Sequence, residues 1–482
     1  MHVLFLLGVV TCFLRALRFQ YCRLFPAENS KTIIILGLLA AAATAGFSLG
    51  IASRSLVPLS AEMGLPANRI IAVQGILTED PRSLQGGSGL GTIELRQCAA
   101  DGGLRATARG SLTVFFPAGS IPRLKEFGRG SEVYLDGIYS SGGSSAGGSS
   151  AGRIPGTGSN PLFRASSVHI IKSAPALETF RTGLRITLLD KFQSRHDSTV
   201  IWGSLASALL LGIRDNLDTE LSGGFRNAGC SHILALSGMH LAIISGILAF
   251  LLKRPLGIRR ASAAGAVFIV FYVFIAGSQP SLVRAAIMYL IGVFAVWTSL
   301  KTNGLSLLSL AFIIQLFYQS GTGDSLSFIL SYLALAGILT LGESIREIFR
   351  GRLPEIINGS LASSLGAFII TSPVVAFFFG TLRPVGIIAG IFLALLSSIF
   401  MVLSLAALIF SFLPLPIWNI FDFILTWIYR FLELLVSVAG RFPGINVKNP
   451  LPVLFISILL WVFVLLIQKR ERERRNHFAS FD

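Results

Sequence analysis

From residue 232 to residue 468 the sequence is a succession of apolar runs, near 232–252, 261–277, 281–299, 304–320, 325–341, 358–380, 385–411 and 451–468. Each approaches or exceeds the ~20 residues that a helix needs to cross ~30 Å of hydrocarbon. Two further apolar segments, 3–17 and 32–52, precede them. Composition agrees: 53% of the residues are hydrophobic and 13% charged, about half the charge of a soluble domain. The chain therefore reads as a polytopic membrane protein.

The net charge of +16 would suggest nucleic acid in a soluble protein. Here Lys and Arg collecting in cytoplasmic loops account for most of it. Arg15, Arg18, Arg23 and Lys31 place the link between the first two segments inside, and residue 53 onward outside. Lys253, Arg254, Arg259 and Arg260 place the end of run 232–252 inside, and the loop with Arg346, Arg350 and Arg352 falls inside too. These marks fit one orientation only if the short apolar segment 199–213 does not cross. The basic tail at 469–475 also requires 415–438 to cross, or its neighbour to re-enter. Cys12, Cys22, Cys98 and Cys230 are scattered without a C-x-x-C pair, so neither a metal site nor a redox pair is expected. No phosphate-binding Gly-x-x-x-x-Gly-Lys loop occurs, so no ATP site and no cofactor is expected.

Residues 68–172 change character. Short β-rich runs, Ile70 to Leu77, Thr92 to Arg96, Ser111 to Phe116, Glu132 to Tyr139 and Ser167 to Ile171, alternate with Gly, Pro and Asp clusters. Five strands at this spacing suit a small barrel such as an OB-fold. A Gly/Ser-rich insert, 140–161, interrupts it. Residues 176–196 read as a basic amphipathic helix, with Leu177, Phe180, Leu184, Leu188 and Phe192 opposite Arg181, Arg185, Lys191 and Arg195. Such a helix can lie at a membrane surface. Segment 199–213 is short for a span and reads as re-entrant or interfacial. Segment 415–438, with Trp418, Asp422, Trp427 and Arg430, is amphipathic.

The expected fold is thus an α-helical polytopic membrane protein of about 10–11 transmembrane helices with an inserted small extracellular β-barrel, OB-like in kind. Its parts are an N-terminal helix pair (1–53), the barrel domain (68–172), an amphipathic and re-entrant stretch (176–214), a membrane domain (215–468) and a basic cytoplasmic tail (469–482).

Four membrane segments carry polar groups, which are costly at membrane depth and face a bundle interior or a water-filled path. Within 232–252, a helical wheel puts His232, Ser237 and His240 on one broad arc. Ala235, Gly238, Ala242 and Ser245 form a small-residue stripe suited to close helix packing. The histidines either hydrogen-bond neighbouring helices or present imidazoles to something polar. In Gly277-Ser-Gln-Pro-Ser-Leu-Val-Arg284, Pro280 breaks a helix that restarts with Ser281 as N-cap. Arg284 then snorkels outward or offers charge to a phosphate. Asp324, Ser327 and Ser331 share a face, with Asp324 also placed to cap its helix. Ser360, Ser364 and Thr371 form a fourth stripe. Ala235-Leu-Ser-Gly238 is similar to the Gly-x-Ser-Gly of rhomboid proteases, but the nearest histidine lies on the same helix, so no separate base is available.

These residues resemble the ComEC family of competence proteins. Leu210-Leu-Gly-Ile-Arg214, and Phe225 to His240 ending Ser-His-Ile-Leu-Ala-Leu-Ser-Gly-Met-His, are similar to that family's signature. So are Ala276-Gly-Ser-Gln-Pro-Ser-Leu-Val-Arg-Ala-Ala-Ile-Met288 and Ser327-Phe-Ile-Leu-Ser-Tyr-Leu-Ala334. The resemblance runs from about 200 to 410. It implies a channel, without enzymatic activity, that carries single-stranded DNA across the cell inner membrane during natural transformation. His232, Ser237, Gly238, His240, Gln279, Arg284, Asp324, Ser327 and Ser331 would line the DNA path. The partners implied are single-stranded DNA, the bilayer, a separate nuclease, a cytoplasmic DNA translocase and a second copy of the chain. Two departures stand out. Many members carry a C-terminal metallo-β-lactamase-like domain, and no His-x-His-x-Asp-His motif is present here. Ile329 stands where the family's counterpart of Ser327–Ala334 has Gln. The rival reading is a transporter or assembly factor for another polymer or solute on the same scaffold.

Overall fold

The computed structural model describes residues 62–63, 66, 69–84, 87–101, 104–140, 162–195, 198–215, 217–300, 302–319, 325–411 and 418–478. The expected N-terminal helix pair, nearly all of the Gly/Ser-rich insert, and Asp324 lie outside the described residues.

The first unit is all-β. Strands β1 (Glu62–Met63), β2 (Ile70–Leu77), β3 (Arg82–Ser83), β4 (Gly89–Ala100), β5 (Arg105–Arg109), β6 (Ser111–Phe116), β7 (Glu132–Ser140) and β8 (Leu162–Lys172) form one sheet. Five of them close on themselves in the order β2–β4–β6–β8–β7–β2. The β6–β8 pair is parallel and the other four are antiparallel. Alternation in the sequence drives this closure. In β6, Leu112, Val114 and Phe116 are buried while the residues between them are not. They meet Val73, Ile93, Leu135 and Phe163 in a dry core. Helix α1 (Ile121–Phe127) plugs the barrel with Ile121 and Leu124. All five sequence-read strands are present, β4 and β8 being longer than expected.

Helix α2 (Ala176–Gln193) joins the barrel to the helical unit. Its expected polarity is reversed in its first turns, while Leu184, Leu188 and Phe192 further along pack into the helical core as expected. Leu177 and Phe180 are 65% and 58% exposed, whereas Arg181 is buried. Arg181 donates to Asp80 at 2.6 Å and to Glu178 at 2.9 Å, and Arg129 also pairs with Glu178. Arg185 donates to the carbonyl of Ile275 in the membrane domain. The reason is pairing: a guanidinium goes under cover when carboxylates and carbonyls take its protons. Burial alone would raise the Asp80 carboxyl. The charges of Arg181 and Arg185, with hydrogen bonds from Arg181 and the Arg129 backbone, hold it below the ordinary carboxylate value.

Apart from two short strand pairs (Ser194–Arg195 with Ser198–Thr199, and Thr381–Leu382 with Ile445–Asn446), the rest is helical: α3 (Gly203–Leu211), α4 (Thr219–Asn227), α5 (Ser231–Leu234), α6 (Gly238–Ala276), α7 (Pro280–Thr298), α8 (Gly304–Tyr318), α9 (Leu326–Ile348), α10 (Glu355–Phe379), α11 (Val385–Phe410), α12 (Trp418–Gly440) and α13 (Leu451–Phe478). Among the described residues, six helices are long and apolar enough to cross a membrane: α6, α7, α9, α10, α11 and α12. The chain is a multi-pass membrane protein. Helix α6 holds two of the runs read from the sequence. Its 39 residues bend at Gly257, whose φ of 74° and ψ of 165° are not helical, two residues after Pro255.

Short helix α3 is neither a span nor a surface element. All of its residues but Ser204 are buried, in one core with α4, α6, α11 and α12. Trp202, fully buried, donates its indole N–H to Asp422 of α12 at 2.8 Å. Tyr272 of α6 donates to the carbonyl of Leu210 at 2.8 Å. These bonds anchor α3 inside the bundle and give Asp422 a partner.

Candidate functional site

Three sequence motifs meet at the start of α6. The first, Leu210-Leu-Gly-Ile-Arg214, ends α3. Gly212 there has φ 71° and ψ 13°, the left-handed conformation that closes a helix C-terminus without a Cβ clash. A Cβ at this position would lie 2.6 Å from Leu236 and 3.0 Å from the Gln279 amide nitrogen. Gly212 is thus where the second motif, carrying Leu236, and the third, carrying Gln279, touch the first.

The second motif does not form the continuous helix expected from its apolar run. Helix α5 is one turn long, and the chain then extends through Ala235 (ψ 137°) to Ser237 (φ −126°, ψ 169°). Helix α6 begins only at Gly238. His232, on α5, is exposed and does not share an arc with Ser237 and His240. The extended segment survives among helices because Ser281 donates its hydroxyl to the Leu236 carbonyl at 2.6 Å. An unpaired carbonyl at this depth would be expensive. The small-residue stripe is broken by the same extension. Ala235 lies before the helix, Ala242 is exposed, and only Gly238 and Ser245 face inward. Ser245 spends its hydroxyl on the Ala242 carbonyl at 3.1 Å.

His240 is fully buried. Its Nδ1 accepts the backbone N–H of Ser237 at 3.1 Å, and the Ser237 hydroxyl lies 3.3 Å from the same atom. This is a capping box with imidazole where Glu or Gln is usual. Since Nδ1 is an acceptor, the neutral ring carries its hydrogen on Nε2. That Nε2 is buried with no hydrogen-bond partner among the described residues.

Arg284, one turn into α7, folds inward and is 8% exposed. Of the two fates open to it in sequence, outward snorkelling is not adopted. Its Nη1 donates to the Ser331 carbonyl of α9, and the guanidinium lies 5.8 Å from the centre of the Tyr332 ring, within cation–π range. A Cβ on Gly238 would be 3.3 Å from Arg284 Nη2, so the start of α6 lies directly against this charge. Arg284 Nε and the Ser331 hydroxyl are also buried without hydrogen-bond partners among the described residues. Helix α7 starts at Pro280, with Gln279 rather than Ser281 at the N-cap position. Proline suits the first helical position because no N–H is needed there. Ser327 is exposed, one turn from Ser331.

Two functional candidates escaped sequence reasoning. Gln315 of α8 is fully buried and donates to the Pro280 carbonyl at 2.9 Å and to the Gln319 side chain at 3.0 Å. Tyr332 donates to Gln315 at 2.8 Å, and Gln319 donates to the Ser278 carbonyl at 3.1 Å. Together they brace the α6–α7 loop and the ring over which Arg284 sits. The signal available was a pair of amides, Gln315 and Gln319, one turn apart in the apolar run 304–320.

Charge continues toward the barrel. Burial lowers the Arg214 guanidinium from its ordinary value, and the Arg82 charge on β3 lowers it further. Arg82 and Arg214 are therefore near enough to repel. Cys230, just before α5, is buried, and burial pushes its thiol up to about 12, which marks it as a packing residue.

This arrangement of motifs has counterparts. The family model described as Competence protein matches residues 209–472, which contain all three motifs and every helix from α4 to α12. The chain belongs to the competence protein family, ComEC. Within this family it is 28% identical over 288 residues to ComE operon protein 3 of Bacillus subtilis (strain 168), covering 56% of this chain and 34% of that protein. It is 29% identical over 200 residues to an uncharacterized protein of Aquifex aeolicus (strain VF5), covering 41% of this chain and 46% of that one. The matches thus span about a third and under half of these relatives' lengths. No solved structure matches.

Proposed function

We propose that this chain forms the channel through which single-stranded DNA crosses the inner membrane during natural transformation. The observation that carries this reading is the meeting of three motifs around buried, unpartnered donors. His240 Nε2, Arg284 Nε and the Ser331 hydroxyl lack hydrogen-bond partners among the described residues, inside an apolar bundle. Unsatisfied buried polar groups are costly, and a phosphate in transit would satisfy them. Gln279 lies at the same junction, His232 and Ser327 are exposed, and these with Asp324 are proposed as further residues of the path. Membership of the competence family and the likeness to ComE operon protein 3 support DNA as the cargo.

The barrel fits the same reading. Its closed five-strand order, with the first strand paired to both the second and the fourth and the third parallel to the fifth, supports the OB-like reading. An OB-like barrel on the extracytoplasmic side, held by Arg181 and Asp80 beside Arg82 and Arg214, would receive the strand at the mouth of the path. The charge asymmetry of the loops supports that orientation and a cytoplasmic C-terminal side. A separate nuclease, a cytoplasmic translocase and a second copy of the chain are the partners such a channel would use.

The test is uptake of labelled DNA into the cytoplasm with and without the gene. Loss of uptake and of transformation on deletion is the expected result. Unchanged uptake overturns the reading.

A further inference from the structure

Beside the start of α6 the structure holds a cavity lined by Ser360 and Ser364 of the fourth polar stripe read from the sequence. It lies between α10 and α11, with Met239 at one side, and has a volume of about 380 Å³. Its polar wall is Ser360, Ser363 and Ser364 on α10 and Ser398 on α11, with Gly390 keeping the opposite wall low. No Lys, Arg, Asp or Glu lines it.

The hydroxyls are not all spent on their own helices. Ser363 donates to the Gly359 carbonyl at 2.8 Å, and Ser398 to the Ala394 carbonyl at 2.6 Å. Both then have only oxygen lone pairs left to offer. Ser360 and Ser364 make no hydrogen bond to any described residue, so their protons remain available. Hydroxyls without partners are poorly matched to lipid, whereas a polar cavity with several such groups suits water. The cavity also reaches the first turn of α6. Ser398 lies 3.8 Å from the sulfur of Met239, and Met239 is the residue before His240.

We infer that this serine-walled cavity is the second stage of the strand's path, a hydrated and uncharged chamber that follows the charged His240–Arg284 stage. This rests on the proposed channel function. The chemistry of the two stages is complementary. A guanidinium and an imidazole hold a phosphate, while hydroxyls exchange hydrogen bonds with phosphate, sugar or water without trapping any of them. Passage needs sites that bind well enough to admit the polymer and weakly enough to release it.

The experiment replaces Cys12, Cys22, Cys98 and Cys230 by serine in the full chain. It then introduces Ser360→Cys, Ser364→Cys or, as a control on the exposed apolar face of α11, Phe392→Cys. Cells are treated with a membrane-impermeant cationic methanethiosulfonate, and modification and uptake of labelled DNA are measured before and after treatment of the same variant. The inference expects modification at 360 and 364 but not at 392, and at least a tenfold fall in uptake on modification. Absence of modification at both serine positions overturns it and means that lipid or another helix fills the groove. Modification with unchanged uptake also overturns it, since a wet chamber would then lie off the path. Either failure leaves the channel reading intact if uptake still depends on the gene, and the channel reading fails only if deletion leaves uptake unchanged.

Discussion

His240 closes the N-terminus of its own helix by accepting the Ser237 backbone N–H at 3.1 Å through Nδ1. The same bond fixes the tautomer and turns Nε2–H, buried and unpartnered, toward the interior. One side chain therefore carries a structural task on one nitrogen and has a free donor on the other.

That division can be separated by substitution. Glutamine is a normal capping-box residue at this position, so His240→Gln preserves the cap and removes the imidazole donor. Its membrane level should match the parent, while DNA uptake falls at least tenfold. His240→Ala removes the cap as well, at a cost of about 1 kcal/mol, and should lose uptake equally. Full uptake in His240→Gln would assign His240 to capping alone.

Arg284 offers a sharper contrast. Its planar guanidinium reaches the Ser331 carbonyl and lies against the Tyr332 ring together. Lysine keeps the charge but not the fork. Arg284→Lys should keep the protein in the membrane and lower uptake at least tenfold, and Arg284→Ala should abolish uptake. Immunoblotting of membranes beside an uptake assay distinguishes loss of transport from loss of protein.

Much of the barrel was legible in the sequence because alternation is local. Ser111 to Phe116 shows its inward Leu112, Val114 and Phe116 without reference to any other strand. The helices were legible for the same reason, their apolar length being written in each run. The break at 235–237 was not. Leu234, Ala235 and Leu236 are as apolar as a helix interior, and the extension is held by Ser281, whose hydroxyl arrives from the next helix. Arg181 misled for a related reason. Periodicity assigned it to a solvated face, but Asp80, 101 residues away, covers it. Local pattern reports what a segment can do alone, and both errors lie where a distant polar partner decides.

The Asp80–Arg181 contact makes a pH prediction. The folded Asp80 carboxyl is held below its ordinary value, so the unfolded state binds the proton first. Its contribution is complete above the unfolded value of ~3.9 and is lost as pH falls through the lower folded value. Thermal stability in detergent should therefore owe no change to this pair between pH 8 and pH 5, and should drop below pH ~4. Asp80→Asn leaves Arg181 buried and underpaired. It should cost up to about 3 kcal/mol, because Asp80 itself keeps 31% side-chain exposure. A larger acid sensitivity in Asp80→Asn than in the parent would contradict the assignment.

The bracing of Arg284 from α8 yields the last prediction. Gln315 has one amide group serving three partners: Pro280 O, Gln319 and the Tyr332 hydroxyl. Gln315→Leu matches its size but leaves a buried carbonyl and a buried phenol without partners, at about 1–3 kcal/mol. Tyr332→Phe removes one hydroxyl yet keeps the ring beneath Arg284, and should cost nearer ~1 kcal/mol. If bracing serves transport, Gln315→Leu should lower uptake by more than its fall in membrane level explains, because the α6–α7 loop and the first turn of α7, from Pro280 to Arg284, are freed. Tyr332→Phe should leave uptake within about threefold, which follows from ~0.6 kcal/mol at RT ≈ 0.59 kcal/mol if roughly half of that loss reaches the site. Uptake normalised to membrane protein checks both. Equal normalised uptake in Gln315→Leu and the parent would reduce Gln315 to a packing residue.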